Sequence, residues 1–525
     1  MSRSLPAHIN LERLRKEAKK LLREYRAGSP EAIALFRGVL KEGSDKPRLA
    51  DAQFLIARRQ GFDSWAELKR HIGLIGADFA KRAEAMITAA CSGRLKEARE
   101  LLNAEPDLAT ANIFAAVTTG EYAYVEKLVA QDPSIATAVG RDGVPPIIYA
   151  CYSRFLMDPE RANGVVLSVE CLLKHAADPN SYFLEKGDAK APQTALYGAS
   201  GVVRNPALTK LLLDHGADPD DGVPEPGMGE SVYHACESYD LSCLKLLLEA
   251  KPRPYTVSYC LAHKLDMEDI DGVRLFLEHG ADPNLLFEHG NKGTRLHFAI
   301  LRRRGAEIIR LLMTNGADWR IPDGDGLSSF AFAVRIGHQP GIDVIREFGA
   351  TDDDLTVVDN LLGALSQGSG DSVQTILAAN PSIVASLSAK DRSVLPEAAK
   401  AENTAAVTLM LEAGFDPEIT SHGFLDGMTA LHWAAWNGNL EMMEVLLKHN
   451  ANIEALNAWG GSVMYSTVYA DREGNPAVDH IPAILRLLQA GARVKIGLDG
   501  KPEPTGVQRI DELLQSWVAG PTGIR

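Results

Sequence analysis

The feature that most constrains this chain is a short string that keeps returning: KHAADPN at 174–180, DHGADPD at 214–220, EHGADPN at 278–284 and TNGADWR at 314–320, each after an aliphatic run such as LLL. The starts are 40, 64 and 36 residues apart. The long middle interval predicts a degenerate copy, and CLKLLLEAKPRP at 243–254 lies where one is needed. Weaker endings at 409–419, 445–455 and 487–496 carry a period of about 34 residues toward the end of the sequence. With 525 residues the chain also exceeds what one hydrophobic core organises, about 250–300 residues. An array whose units contact only their neighbours satisfies both facts.

A second string precedes the first by about twenty residues: QTALYGAS at 193–200, GTRLHFAI at 293–300 and MTALHWAA at 428–435. The stretch 428–455 shows why. Thr429 can cap a short helix, Ala434 and Ala435 allow close helix approach, and Gly438 breaks the chain. Leu440, Met443, Leu446 and Leu447 then form an apolar stripe that a single repeat cannot bury. Copies at 89–110, 115–137 and 368–385 replace the GAD ending with a proline-bearing turn. Supporting segments fall at 144–151, 231–238, 255–262, 327–334 and 462–469.

These paired strings resemble the ankyrin family, whose repeats join a TPLHxA-like helix start to an LLxxGADxN-like helix end. The resemblance covers residues from about 80 to 497. It implies an all-α solenoid of roughly a dozen helix-turn-helix repeats whose concave groove binds proteins. The expected domains are 1–78, small, basic and helical; 79–500, the array; and 501–525, a capping helix and tail. Within the first, RLADAQFLIARRQGFDSWAELKRHI at 48–72 is similar to the small helical domain that precedes ankyrin repeats in bacterial proteins. Asn10, Ser29–Pro30 and the Ser64/Glu67 pair predict its helix starts.

Charge narrows the partner. The chain carries a net charge of −14, yet residues 1–75 hold 16 basic and 9 acidic residues, so the remainder is strongly acidic. Nucleic acid is not expected as the partner. The basic helix near residue 20 interleaves Glu12, Glu17 and Glu24 with its cations and reads as a solvated face. The opening residues lack a signal-peptide core, and no apolar run of about 18 residues occurs. A cytoplasmic monomer without a membrane span is expected. Cys91, Cys151, Cys171, Cys236, Cys243 and Cys260 are expected to be buried, reduced thiols.

The implied groove predicts partner anchors at Phe424, Trp436, Trp459 and Tyr469, large aromatics at positions the repeat pattern leaves variable; filling gaps in imperfect repeats is the alternative. Trp433 is assigned to the core. Arg302, Arg303 and Arg304 fall in the turn of one repeat and Arg335 at the matching place in the next, where they receive an acidic segment or are simply solvated. His234, Cys236, Cys243, Cys260 and His263 are crowded but lack paired CxxC spacing, so no metal is expected, and no cofactor. GxSxG, HExxH, Walker and GxGxxG motifs do not appear in context. The reading is a protein–protein adaptor or scaffold with an unknown protein or peptide as partner. The alternative is an enzyme with a small-molecule site around 422–480, using His422, Asp471 and His480.

Overall fold

The computed structural model describes residues 11–37, 47–74, 77–140, 143–184, 192–224, 227–287, 292–421, 427–475, 477–497 and 500–520. It falls into two compact units, named here by their place in the sequence. The central unit comprises Lys69–Phe330 and Pro340–Gly349; the terminal unit comprises Met1–Leu68, Ala331–Gln339 and Ala350–Arg525.

Both units are helical. Among the described residues, twelve successive helix pairs run from Phe79–Cys91 with Leu95–Ala104 to Val463–Tyr469 with Ile481–Gln489. Capping explains where the first helices begin. Thr294 and Thr429 accept from the backbone N–H groups of His297 and His432 while those imidazoles reach back, satisfying donors at each helix start. Both histidines are buried, and each bridges to the following repeat: His297 Nε2 lies 3.0 Å from Leu327 O, and His432 Nε2 lies 3.4 Å from Gly461 O. Burial lowers both pKa values, that of His432 to about 4.

The GAD string ends the second helices because its glycine takes a left-handed φ, as at Gly280 (82°). Ala176 and Asn450 hold the same conformation at φ 68° and 62° without that freedom. The aspartate then closes the turn, Asp282 accepting from Asn284 N at 2.8 Å. Two of the proline-bearing endings form single 3-10 turns, Pro106–Thr110 and Pro133–Thr137. Departures from the simple repeat are a hairpin, Tyr182–Leu184 antiparallel to Pro192–Thr194, and the π-helical turns Gly198–Val202 and Ala470–Gly474.

In the terminal unit, helices Leu11–Arg26, Pro30–Arg37 and Leu49–Arg59 pack together, burying Leu14, Ala18, Leu21 and Leu22 of the first, with Tyr25 edge-on to Phe36 at 5.0 Å. The expected ion pairs form at Arg13–Glu17 (3.0 Å) and Lys20–Glu24 (3.6 Å). Asn10 lies outside the described residues. All six cysteines are free thiols in the central unit, five of them buried. Cys91 is the half-buried one, and the loss of hydration around its thiol pushes its pKa up to about 12. No helix among the described residues is long and apolar enough to cross a membrane.

Candidate functional site

In the terminal unit two consecutive first helices, Ala430–Trp436 and Val463–Tyr469, bring a row of aromatic rings together beside the end of the preceding first helix, Val394–Lys400. Trp433 and Trp436 lie with ring centres 6.2 Å apart, and Trp436 and Tyr469 6.0 Å apart. Cations close both ends: Lys400 Nζ is 5.1 Å from the Trp433 ring centre, and the Arg472 guanidinium is 5.6 Å from that of Tyr469. Trp433 is buried, as the sequence implied, with an indole N–H that has no hydrogen-bond partner among the described residues.

The anchors expected from the sequence differ in environment. Trp459 is 62% exposed at a turn tip whose backbone is held by Asn457: the Trp459 N–H donates to Asn457 Oδ1 at 3.0 Å, and Leu456 beside it is exposed as well. Tyr469 is 46% exposed. Trp436 is only half-buried but packs against the core, and its indole lies directly on Gly474, where a Cβ would come within 2.2 Å of Cζ2. Phe424 and His422 lie outside the described residues.

The insertion at 469–480 supplies that seat. His480 is fully buried, with Nε2 2.8 Å from Trp436 O and Nδ1 3.4 Å from Asp471 Oδ1. Asp471 is held in turn by the Arg509 guanidinium, which also pairs with Asp479 at 3.1 Å. The acid and base that suggested chemistry are thus engaged in fixing the insertion against the aromatic row.

The arginines are divided between the units. Arg302 and Arg303 belong to the central unit, in the turn after helix Arg295–Leu301. Arg302 pairs with Asp266 at 2.8 Å and lies 5.1 Å over Phe298, with its side chain still 48% exposed. Arg303 adopts φ 54°. Arg335 belongs to the terminal unit as the last residue of helix Ser329–Arg335, enclosed by the carboxylates of Asp359 and Asp391. Its guanidinium is neutralised inside the fold.

The His/Cys crowd of the central unit has its own partners. Cys236 Sγ lies 2.8 Å from Tyr233 O, and His234 is bracketed by Glu230 and Glu237. Among the described residues no group of three His, Cys, Asp or Glu side chains is arranged to hold a metal ion. The bracket on His234 has a sequence signal in the i, i+4 spacing of Glu230 and His234 on helix Glu230–Ala235, with Glu237 in the turn just after it.

Comparison with known proteins matches residues 361–457 to the family described as ankyrin repeats, in three copies. Among solved structures the human ASB11 ankyrin repeat domain is similar at 21% identity, over 45% of this chain and 99% of that chain, with a TM-score of 0.23.

Proposed function

We propose, from the premise that this chain is an ankyrin-repeat protein, that it acts by gripping a partner protein or peptide, as a cytoplasmic adaptor or scaffold. The gripping face is the aromatic row of the terminal unit together with the turn tip bearing Trp459. One observation carries this reading: Trp459 is 62% exposed on a turn pinned by Asn457, in the repeat that follows Trp433 and Trp436. Exposing so large an apolar surface without a partner is unfavourable, while a rigid indole loses little entropy on binding. Tyr469 adds a second exposed ring, and Trp436 serves as the half-buried base on which that ring rests. Arg302 and Arg303 are a separate, weaker contact for an acidic segment, whereas Arg335 is left to the fold.

The test places a photo-crosslinking amino acid at position 459, at 469 or, as a control in the central unit, at Val139, which is 68% exposed. In the native host a common partner should crosslink from 459 and 469 and not from 139. Crosslinking that is equal from all three positions, or that appears from 139 alone, overturns the assignment.

A further inference from the structure

The central unit carries a second ring system, separate from the face just proposed, and its electrostatics are of the opposite kind. Tyr152 meets Tyr197 at 6.1 Å, Tyr197 stacks on His234 at 5.1 Å with a 30° interplanar angle, and Tyr233 stands edge-on to His234 and to His263 at 5.0 and 4.5 Å. These rings come from first helices of successive repeats, so they form a strip. Glycines let them settle: a Cβ at Gly198 would lie 2.6 Å from the Tyr152 ring, and one at Gly201 2.7 Å from the Tyr197 ring. The hairpin forms a rim beyond them, with Phe183 against Tyr152 at 5.3 Å and with Tyr182 and Leu184 exposed.

Two features of this strip stand out among the described residues. His234 has Glu230 Oε2 2.9 Å from Nε2 and Glu237 Oε2 2.8 Å from Nδ1. A neutral imidazole has one N–H and can satisfy one of those carboxylates; a doubly protonated one satisfies both but leaves the trio with a net negative charge. In either form the trio stays net negative and attracts a cation. Nearby, the buried Tyr152 hydroxyl has no hydrogen-bond partner among the described residues, an arrangement that folded proteins rarely leave uncompleted.

We propose that this strip binds an extended basic segment of a partner protein, taking lysine or arginine side chains over the faces of Tyr197 and Tyr233 and against Glu230 and Glu237. Aromatic faces attract cations, and carboxylates supply the counter-charge. A phosphate backbone would be repelled by the same carboxylates. The ligand is extended because its contacts are spread over consecutive repeats instead of converging in one pocket.

The experiment uses the full chain and a fluorescein-labelled (Arg-Gly)4 peptide, with binding read by anisotropy at about 0.15 M salt. Replacing every arginine by citrulline, which keeps the shape and removes the charge, should weaken binding about tenfold or more. The double variant Glu230→Gln/Glu237→Gln should do the same. The control Glu249→Gln/Glu278→Gln, two exposed carboxylates at the ends of other helices of the same unit, should stay within about twofold. Equal losses in the two double variants would show attraction to general acidity and overturn the site. So would equal binding of the citrulline peptide, or no binding of either. Should the first double variant fail to fold, amide exchange of the wild-type chain decides: the arginine peptide must protect 192–202 and 230–237, and protection confined elsewhere refutes the proposal.

Discussion

The turns of the two units join successive repeats through the same position of the GADxN string but with different chemistry. In the central unit Asn180 donates from Nδ2 to Gly216 O at 3.1 Å and accepts from Asp218 N at 2.8 Å; Asn284 repeats the pair with Gly316 O and Asp318 N, both at 2.8 Å. Asp220 and Arg320 hold the position in other repeats of the central unit, and in two repeats of the terminal unit it is glutamate. Glu418 accepts from Asn452 N and Glu454 from Arg493 N, each at 2.7 Å, and neither has a donor to offer the preceding carbonyl. An amide clamps with two bonds and a carboxylate with one shorter, charge-assisted bond. Both units add buried ionic groups, Lys264–Asp269 in the central unit and Arg335–Asp359 in the terminal unit, and the terminal unit adds the indoles of Trp433 and Trp436. The turn joined through Glu454 is the one that presents Trp459.

The strongest way to break the comparison is to attack a buried ionic joint of the central unit. Lys264 is fully buried; its ammonium donates to Asp269 at 2.8 Å and to the carbonyl of Ser238 in the preceding repeat. Lys264→Ala strands Asp269 and should cost about 3–5 kcal/mol, seen as loss of amide protection across the central unit. A loss below 1 kcal/mol, on the same scale, would show that the pair is dispensable.

The next effect is a pH response. Asp221 is buried and accepts from Ser231 N and Oγ, both at 2.7 Å, and from Thr194 Oγ1. Burial raises its pKa from 3.8 to about 6. Because the folded value lies above the unfolded one, the protonated carboxyl favours folding: its contribution is fully present below about pH 4 and is lost as pH rises through about 6. Asp221→Asn should therefore match the wild type near pH 4 and exceed it near pH 8 by on the order of 3 kcal/mol. The difference between the two proteins isolates this carboxyl from His263 and His297, whose lowered pKa values act in the opposite direction. Parallel stability profiles would contradict it.

The smallest effect tests the clamp itself. Asn284→Asp keeps the acceptor for Asp318 N and removes the donor to Gly316 O, so it should cost about 0.5–1.5 kcal/mol. Glu418→Asn offers the missing donor in the terminal unit and should raise its denaturant midpoint slightly. A cost for both substitutions would mean that the two chemistries are not interchangeable.

Much of this organisation was legible in the sequence because its signals are local. The GAD glycines and aspartates mark turns through φ and side-chain-to-backbone bonds, and Thr294 and Thr429 mark helix starts through caps. The histidines of the GTRLHFAI and MTALHWAA strings, His297 and His432, bond the turns of the following repeats. What stayed hidden depends on stacking. Tyr152, Tyr197, His234 and His263 are tens of residues apart in sequence, and only the alignment of repeats brings their rings into contact. The role of His480 and Asp471 was equally invisible, because what they hold in place, Trp436, lies a repeat away. The hairpin at 182–194 left only a faint signal, the short aromatic run Tyr182–Phe183 before a stretch with a proline.

Replacing Trp459 by alanine is the most direct test of the binding face. Because the ring is 62% exposed, Trp459→Ala should leave the denaturant midpoint within about 0.5 kcal/mol of wild type. Affinity for the crosslinked partner should nevertheless fall by about 2 kcal/mol or more, roughly thirtyfold. An unchanged affinity at an unchanged midpoint would contradict the account and move the binding face away from the terminal unit's aromatic row.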